Sequence, residues 1–145
     1  MITVRRVVIS VILSACAALM VFGFTQVRPT KTPLIFKNSA VVRVAPEPGD
    51  LVLRQSMVSI TLAQGYTLAY ENEQGLEIGV NGSSVGIPQD ELQILPGQNQ
   101  YSFSPAPGRQ FAELPVGRVC VKTIIRRAVS VSDPGQLFSW CFQTH

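Results

Sequence analysis

Arg118-Val119-Cys120-Val121-Lys122-Thr123-Ile124-Ile125 alternates its side chains. Val119, Val121 and Ile125 share one side of an extended chain, and Arg118, Cys120, Lys122 and Arg126 share the other. Successive side chains of a strand point to opposite faces, so this is a strand buried on one face only. Leu137-Phe138-Ser139-Trp140-Cys141-Phe142 repeats the pattern, with Phe138, Trp140 and Phe142 opposed to Ser139, Cys141 and Gln143. Two such strands separated by Asp133-Pro134-Gly135, a turn signal, predict an antiparallel pair with an outward and an inward face.

Upstream, the same signals recur. Short β-rich runs stand at 41–44, 57–62, 66–70, 76–80, 92–95 and 101–103. Val58, Ile60 and Leu62 oppose Met57, Ser59 and Thr61, and Leu76, Ile78 and Val80 oppose Glu77 and Gly79. Pro46-Glu47-Pro48-Gly49-Asp50, Asn72-Glu73-Gln74-Gly75, Asn81-Gly82, Pro96-Gly97 and Pro105-Ala106-Pro107-Gly108 punctuate them. Asn81-Gly82 suits a type I′ hairpin turn. Gln89–Leu92 has room for a single helical turn. Many short strands at this spacing predict an all-β antiparallel sandwich.

Residues 7–24 are of another kind: an uncharged apolar run directly behind Arg5 and Arg6. Eighteen helical residues span roughly 27 Å, close to the ~30 Å hydrocarbon core of a bilayer. The flanking arginines favour an N-in orientation. The expected organisation is a cytoplasmic N-terminus (1–6), a transmembrane anchor (7–24), a linker (25–39) and an extracytoplasmic domain (40–145). Two other fates remain open. Ala15-Cys16-Ala17 and Val21-Phe22-Gly23 loosely satisfy a signal-peptidase site. Leu13-Ser14-Ala15-Cys16 resembles a bacterial lipobox, which makes Cys16 a candidate for lipidation. Thr25 to Pro33 reaches roughly 30 Å when extended.

The net charge of +3 misleads, because Arg5 and Arg6 supply two of those charges. No basic stripe with interleaved aromatics is present, so a nucleic-acid partner is not expected. Cys120 and Cys141 are the only cysteines beyond the apolar run, and an exported compartment permits their pairing. Both fall on outward faces, so the expected bond joins neighbouring strands on the solvent side. Two cysteines without further ligands do not make a zinc site. Neither a metal nor another cofactor is expected.

Pro46–Asp50, then Val58–Leu62, then Leu114-Pro115-Val116-Gly117-Arg118-Val119-Cys120-Val121 resemble bacterial Ig-like domains. The strand before the last begins in those domains after a similar leucine–glycine corner. The resemblance spans roughly residues 40–142. It implies an Ig-like sandwich in a cell-envelope setting and carries over no catalytic residue. Periplasmic copper carriers share the architecture but need histidine and clustered methionine. The exported region offers His145 and Met57, which argues against metal carriage.

Three further constellations are candidates for chemistry. Gly82-Ser83-Ser84-Val85-Gly86 fits the nucleophile-elbow pattern, but that elbow needs a following helix and a histidine base. Ile87-Pro88 follows instead, and His145 is the sole imidazole, so a Gly/Ser-rich hairpin is expected. Glu71, Glu73, Glu77, Asp90 and Glu91 form an acidic stretch with no cation between Arg54 and Arg109. It reads as a solvated acidic hairpin, with a weak cation site as the alternative. Phe138, Trp140 and Phe142 read as core, with a sugar-stacking platform as the alternative.

The expected role is non-enzymatic: a membrane-anchored envelope interaction or structural module. The alternatives are a carbohydrate- or cell-wall-binding module and, more remotely, an enzyme using the acidic cluster. Taking 66–80 as one hairpin and 118–142 as the last gives an acidic edge and a basic face. On that face Lys122, Arg126 and Arg127 are the candidates to meet an anionic partner, either lipid headgroups, an envelope protein or an acidic wall polymer.

Overall fold

A computed structural model describes residues 38–80, 82–130 and 132–145. The apolar run 7–24, Cys16 and Asn81 of the expected type I′ turn lie outside the described residues. Among the described residues no helix is long and apolar enough to cross a membrane.

The described chain is all-β. Its strands are β1 (Val41–Ala45), β2 (Leu51–Val52), β3 (Val58–Leu62), β4 (Tyr66–Ala69), β5 (Gln74–Val80), β6 (Ser83–Pro88), β7 (Gln93–Leu95), β8 (Gln100–Phe103), β9 (Gly117–Arg127) and β10 (Gln136–Thr144). Single 3-10 turns occupy Gln89–Glu91, as the sequence leads one to expect, and Pro96–Gln98. One sheet has the order β1-β3-β8-β7. The other has the order β2-β10-β9-β5-β6, with β4 also paired to β9. Neighbours are antiparallel except β2 and β10, which run parallel.

The inward faces make one core. Val58, Ile60 and Phe103 come from the first sheet, and Ile78, Val121 and Phe142 from the second. These are the apolar members of the alternating pairs, so burial follows the period-two pattern. Trp140 is only 4 % exposed. Its indole Nε1 donates to the Pro46 carbonyl at 3.1 Å, which satisfies the one polar atom this large side chain buries. The β9–β10 pair has the expected register, with Trp140 opposite Val121 and Cys141 opposite Cys120.

The segment 66–80 departs from expectation. It is not a hairpin. Both β4 and β5 pair antiparallel with β9, β4 against Ile124–Arg127 and β5 against Val119–Lys122. They are two halves of one interrupted strand. Between them the chain loops out and closes on itself, with Glu71 N donating to Gln74 O at 3.1 Å and Gln74 N to Glu71 O at 2.9 Å. Asn72 and Glu73 at the tip take φ of 50° and 66°. Thr123, left opposite the gap, donates its hydroxyl to the Gly75 carbonyl at 2.7 Å. Consecutive strands usually pair with each other. Here β9 is long enough to pair with both halves at once.

Candidate functional site

The outer face of the second sheet carries the charged and reactive side chains, because β9 sends Arg118, Cys120, Lys122 and Arg126 there. Cys120 and Cys141 face each other in the ladder and form a disulfide, with Cα atoms 4.0 Å apart. Both are half-buried on the outer side, as the alternation requires. The bond therefore lies within one sheet and does not bridge the two.

Interruption of the β4/β5 strand opens a recess of about 280 Å³ on this face. Glu71, Glu77 and Lys122 border it, with Leu137 at its rim. Glu77 stands opposite Lys122 in the β5–β9 register. The expected separation of an acidic edge from a basic face is thus not found at Lys122. Chain order kept the charges apart, whereas the register of β5 on β9 puts them side by side.

Nor does the acidic set converge. Among the described residues no three His, Cys, Asp or Glu side chains are placed to hold a metal ion. Glu91 turns to the 103–117 connection, where both carboxylate oxygens accept from the Gln110 amide at 2.9 Å. Glu73 is in the looped-out tip and Asp90 in the 3-10 turn. Glu71, Glu73, Glu77, Asp90 and Glu91 are thus not gathered at one point among the described residues: neighbours in sequence diverge here because a turn and a strand separate them.

Arg126 and Arg127 close the far end of β9. They border a second recess of about 560 Å³ with Asn38, Ser39, Ser130 and Asp133. The Asp133 carboxylate accepts from the Gly135 amide at 2.9 Å and the Arg127 amide at 3.3 Å. Those two backbone bonds, Gly135 first, hold its carboxyl below the usual range, and the charges of Arg127 and Arg126 add to the effect. Asp133 thereby ties down the β9–β10 connection.

The Gly82–Gly86 motif does not make an elbow, since Ser83–Pro88 is strand β6 and only the single 3-10 turn Gln89–Glu91 follows it, not an α-helix. The aromatic side of β10 faces the core: Trp140 and Phe142 are buried and Phe138 packs half-buried against them. No aromatic is among the exposed large apolar side chains of the described residues.

Sequence reading missed two polar anchors. Arg54 pairs with Glu113 at 2.8 Å and donates Nε to the Leu114 carbonyl at 2.8 Å, pinning the long 103–117 connection. Asn99, at φ 49°, donates its amide to the Ala63 and Tyr66 carbonyls at 2.9 Å each. Both join residues remote in sequence, and no local pattern announces them.

No protein-family model matches the chain, and no curated protein matches it at significant similarity.

Proposed function

We propose that this chain is a non-enzymatic envelope interaction module, held at the membrane by residues 7–24, with an Ig-like domain at 40–145 outside the cytoplasm. The observation that carries this reading is the Cys120–Cys141 bond. Disulfides persist in oxidising, exported compartments and are rare in the cytosol. An apolar run behind two arginines is the matching export signal. The strand order supports the Ig-like assignment: β1-β3-β8-β7 corresponds to the A-B-E-D sheet, and β10-β9-β5-β6 to G-F-C-C′. The disulfide then joins strands F and G and replaces the inter-sheet bond of antibody domains.

The working surface in this reading is the end of β9, where Arg126 and Arg127 stand beside one tied carboxylate, with Lys122 as a weaker contributor next to Glu77. Its partner is an anionic component of the envelope. Two measurements test the proposal. Intact mass of the membrane-extracted protein should show an uncleaved N-terminus. A start at Ala18 or Phe24 would remove the anchor, and a diacylated Cys16 would replace it with a lipid. Charge reversal at Arg126 and Arg127, in nanodisc-held full-length protein, should weaken retention of acidic wall polymer at low salt. Unchanged retention eliminates the surface.

A further inference from the structure

The outer face of the second sheet has a gap. In register, Cys141, Cys120, Gly79 and Ser84 form one row across β10, β9, β5 and β6. Gly79 contributes no side chain to that row. A Cβ there would meet the Ser83 carbonyl oxygen at 2.9 Å and the Ser84 Cβ at 3.3 Å, so the position admits only glycine without rearrangement. The depression left behind has a volume of about 320 Å³. Gly79, Ser83, Ser84, Arg118, Cys120 and Lys122 line it together with Gly82.

The lining is chemically one-sided. Arg118 and Lys122 flank Cys120 on β9, two residues to either side, so their Cα atoms are about 13 Å apart along the strand. Both side chains are long enough to fold inward over the row between them. From the other side the β5–β6 hairpin offers the hydroxyl of Ser84, which shares the row of Gly79 and Cys120, while Ser83 borders the depression through its backbone. No carboxylate lines the depression, although Glu77 stands next to Lys122 on its far side. Arginine presents a planar fork of N–H donors that matches a tetrahedral oxyanion, and lysine adds a point charge. A serine hydroxyl donates to a remaining oxygen. A volume near 300 Å³ is at the small end of ligand sites.

We propose that this depression is a binding site for a phosphate group, with Arg118 as its principal ligand, Lys122 as the second cation and Ser84 as hydroxyl donor. It rests in part on the anionic-partner reading, because Lys122 belongs to both surfaces. The glycine and serine content of 82–86 acquires a role here: small residues keep the pocket open, and the Ser84 hydroxyl lines it.

The test is a residue-resolved titration. The ¹⁵N-labelled full-length chain, in a maltoside detergent, is titrated with sodium phosphate against sodium chloride of equal ionic strength. The amides of Gly79, Ser84 and Lys122 should shift along one saturating curve. Arg118→Gln should weaken binding about tenfold, as loss of a charge-assisted contact does. Arg109→Gln, outside the depression, should leave it unchanged. Non-saturating shifts, shifts spread evenly over the domain, or equal affinity in wild type and Arg118→Gln would overturn the site. A second arm replaces phosphate with short-chain phosphatidylglycerol: tighter binding than phosphate identifies a lipid phosphodiester as the source, and weaker binding identifies a free phosphate. The Arg126/Arg127 reversal separates the two proposals. Loss of polymer retention without any saturating phosphate shift in wild type defeats the depression alone. Saturating shifts with polymer retention unaffected by the reversal defeat the Arg126/Arg127 surface alone.

Discussion

Two residues between β4 and β5 sit in conformations their chemistry does not favour. Glu73 has φ of 66°, in the left-handed region where a β-carbon costs roughly 1–2 kcal/mol. Asn72 beside it tolerates the same region better, because asparagine bonds locally. Glu73→Gly should therefore raise stability by about 0.5–1 kcal/mol, net of glycine's greater freedom in the unfolded chain. Denaturant midpoints check this, with Glu73→Ala as the control that should gain nothing. Tyr70 is the second case. Its hydroxyl is buried without a hydrogen-bond partner among the described residues, while its ring covers Gly75. Burial pushes its phenol above 10.0, with Tyr101 adding to the effect. The folded state thus favours the neutral phenol. That contribution is present below the ordinary tyrosine range and is lost as pH rises through the folded value. Tyr70→Phe should be neutral or more stable by up to about 1 kcal/mol, since no bond is lost with the hydroxyl. It should also lose less stability than wild type on titration above pH 10, which thermal melts would show.

At the scale of elements, the β9–β10 pair is the most strongly specified part of the chain. Alternation, a Pro-Gly connection and two outward cysteines all demand the same register, and the disulfide closes it across a sequence separation of 21. The chain-entropy account gives such a loop about 3 kcal/mol. Cys120→Ala with Cys141→Ala should lower unfolding free energy by about that amount. Amide exchange in the strands should stay slow under native conditions, because their ladder and core face are untouched. Equal denaturant midpoints with and without the bond would show that it contributes nothing. This pair was legible in the sequence because one residue decides each face. Strand β6 was not, since Ser83, Ser84 and Gly86 have turn chemistry and become strand only by lying along β5. Strand β2 was missed for its brevity. The split of 66–80 was hidden because its cause is the length of β9, far along the chain. The placement of charge failed for the same reason: Glu77 meets Lys122 through a register that neither segment encodes alone.

For the described domain as a whole, one buried cluster shared by two sheets makes its unfolding a single cooperative event. Trp140 contributes the largest side chain to it. Trp140→Ala should cost about 3–5 kcal/mol, a large part of the 5–15 kcal/mol typical of a domain. Iodide should barely quench its fluorescence in the native protein; strong quenching would place the ring outside and restore the sugar-stacking alternative. Such a core explains how a domain can devote one whole sheet face to charge and a disulfide.

The parallel pairing of β2 with β10 has a mechanical consequence. Backbone bonds tie these segments, among them Gly49 N to Cys141 O at 2.9 Å, Gln143 N to Asp50 O at 2.7 Å and His145 N to Val52 O at 3.2 Å. Tension applied between Asn38 and His145 loads β1 on β3 first, and once β1 parts it pulls β2 toward its own N-terminus and β10 toward its C-terminus. Because the strands run the same way, these bonds are loaded in shear and must yield together, not unzip in turn. A single-molecule pulling trace should therefore show one high rupture peak for the intact domain. Replacing Val52 by proline leaves the Gly49, Gln143 and His145 donors in place, whereas shortening the chain before His145 removes one and should lower that peak. A tether at one end and a grip at the other would then find, behind β1, a clamp built on a strand only two residues long.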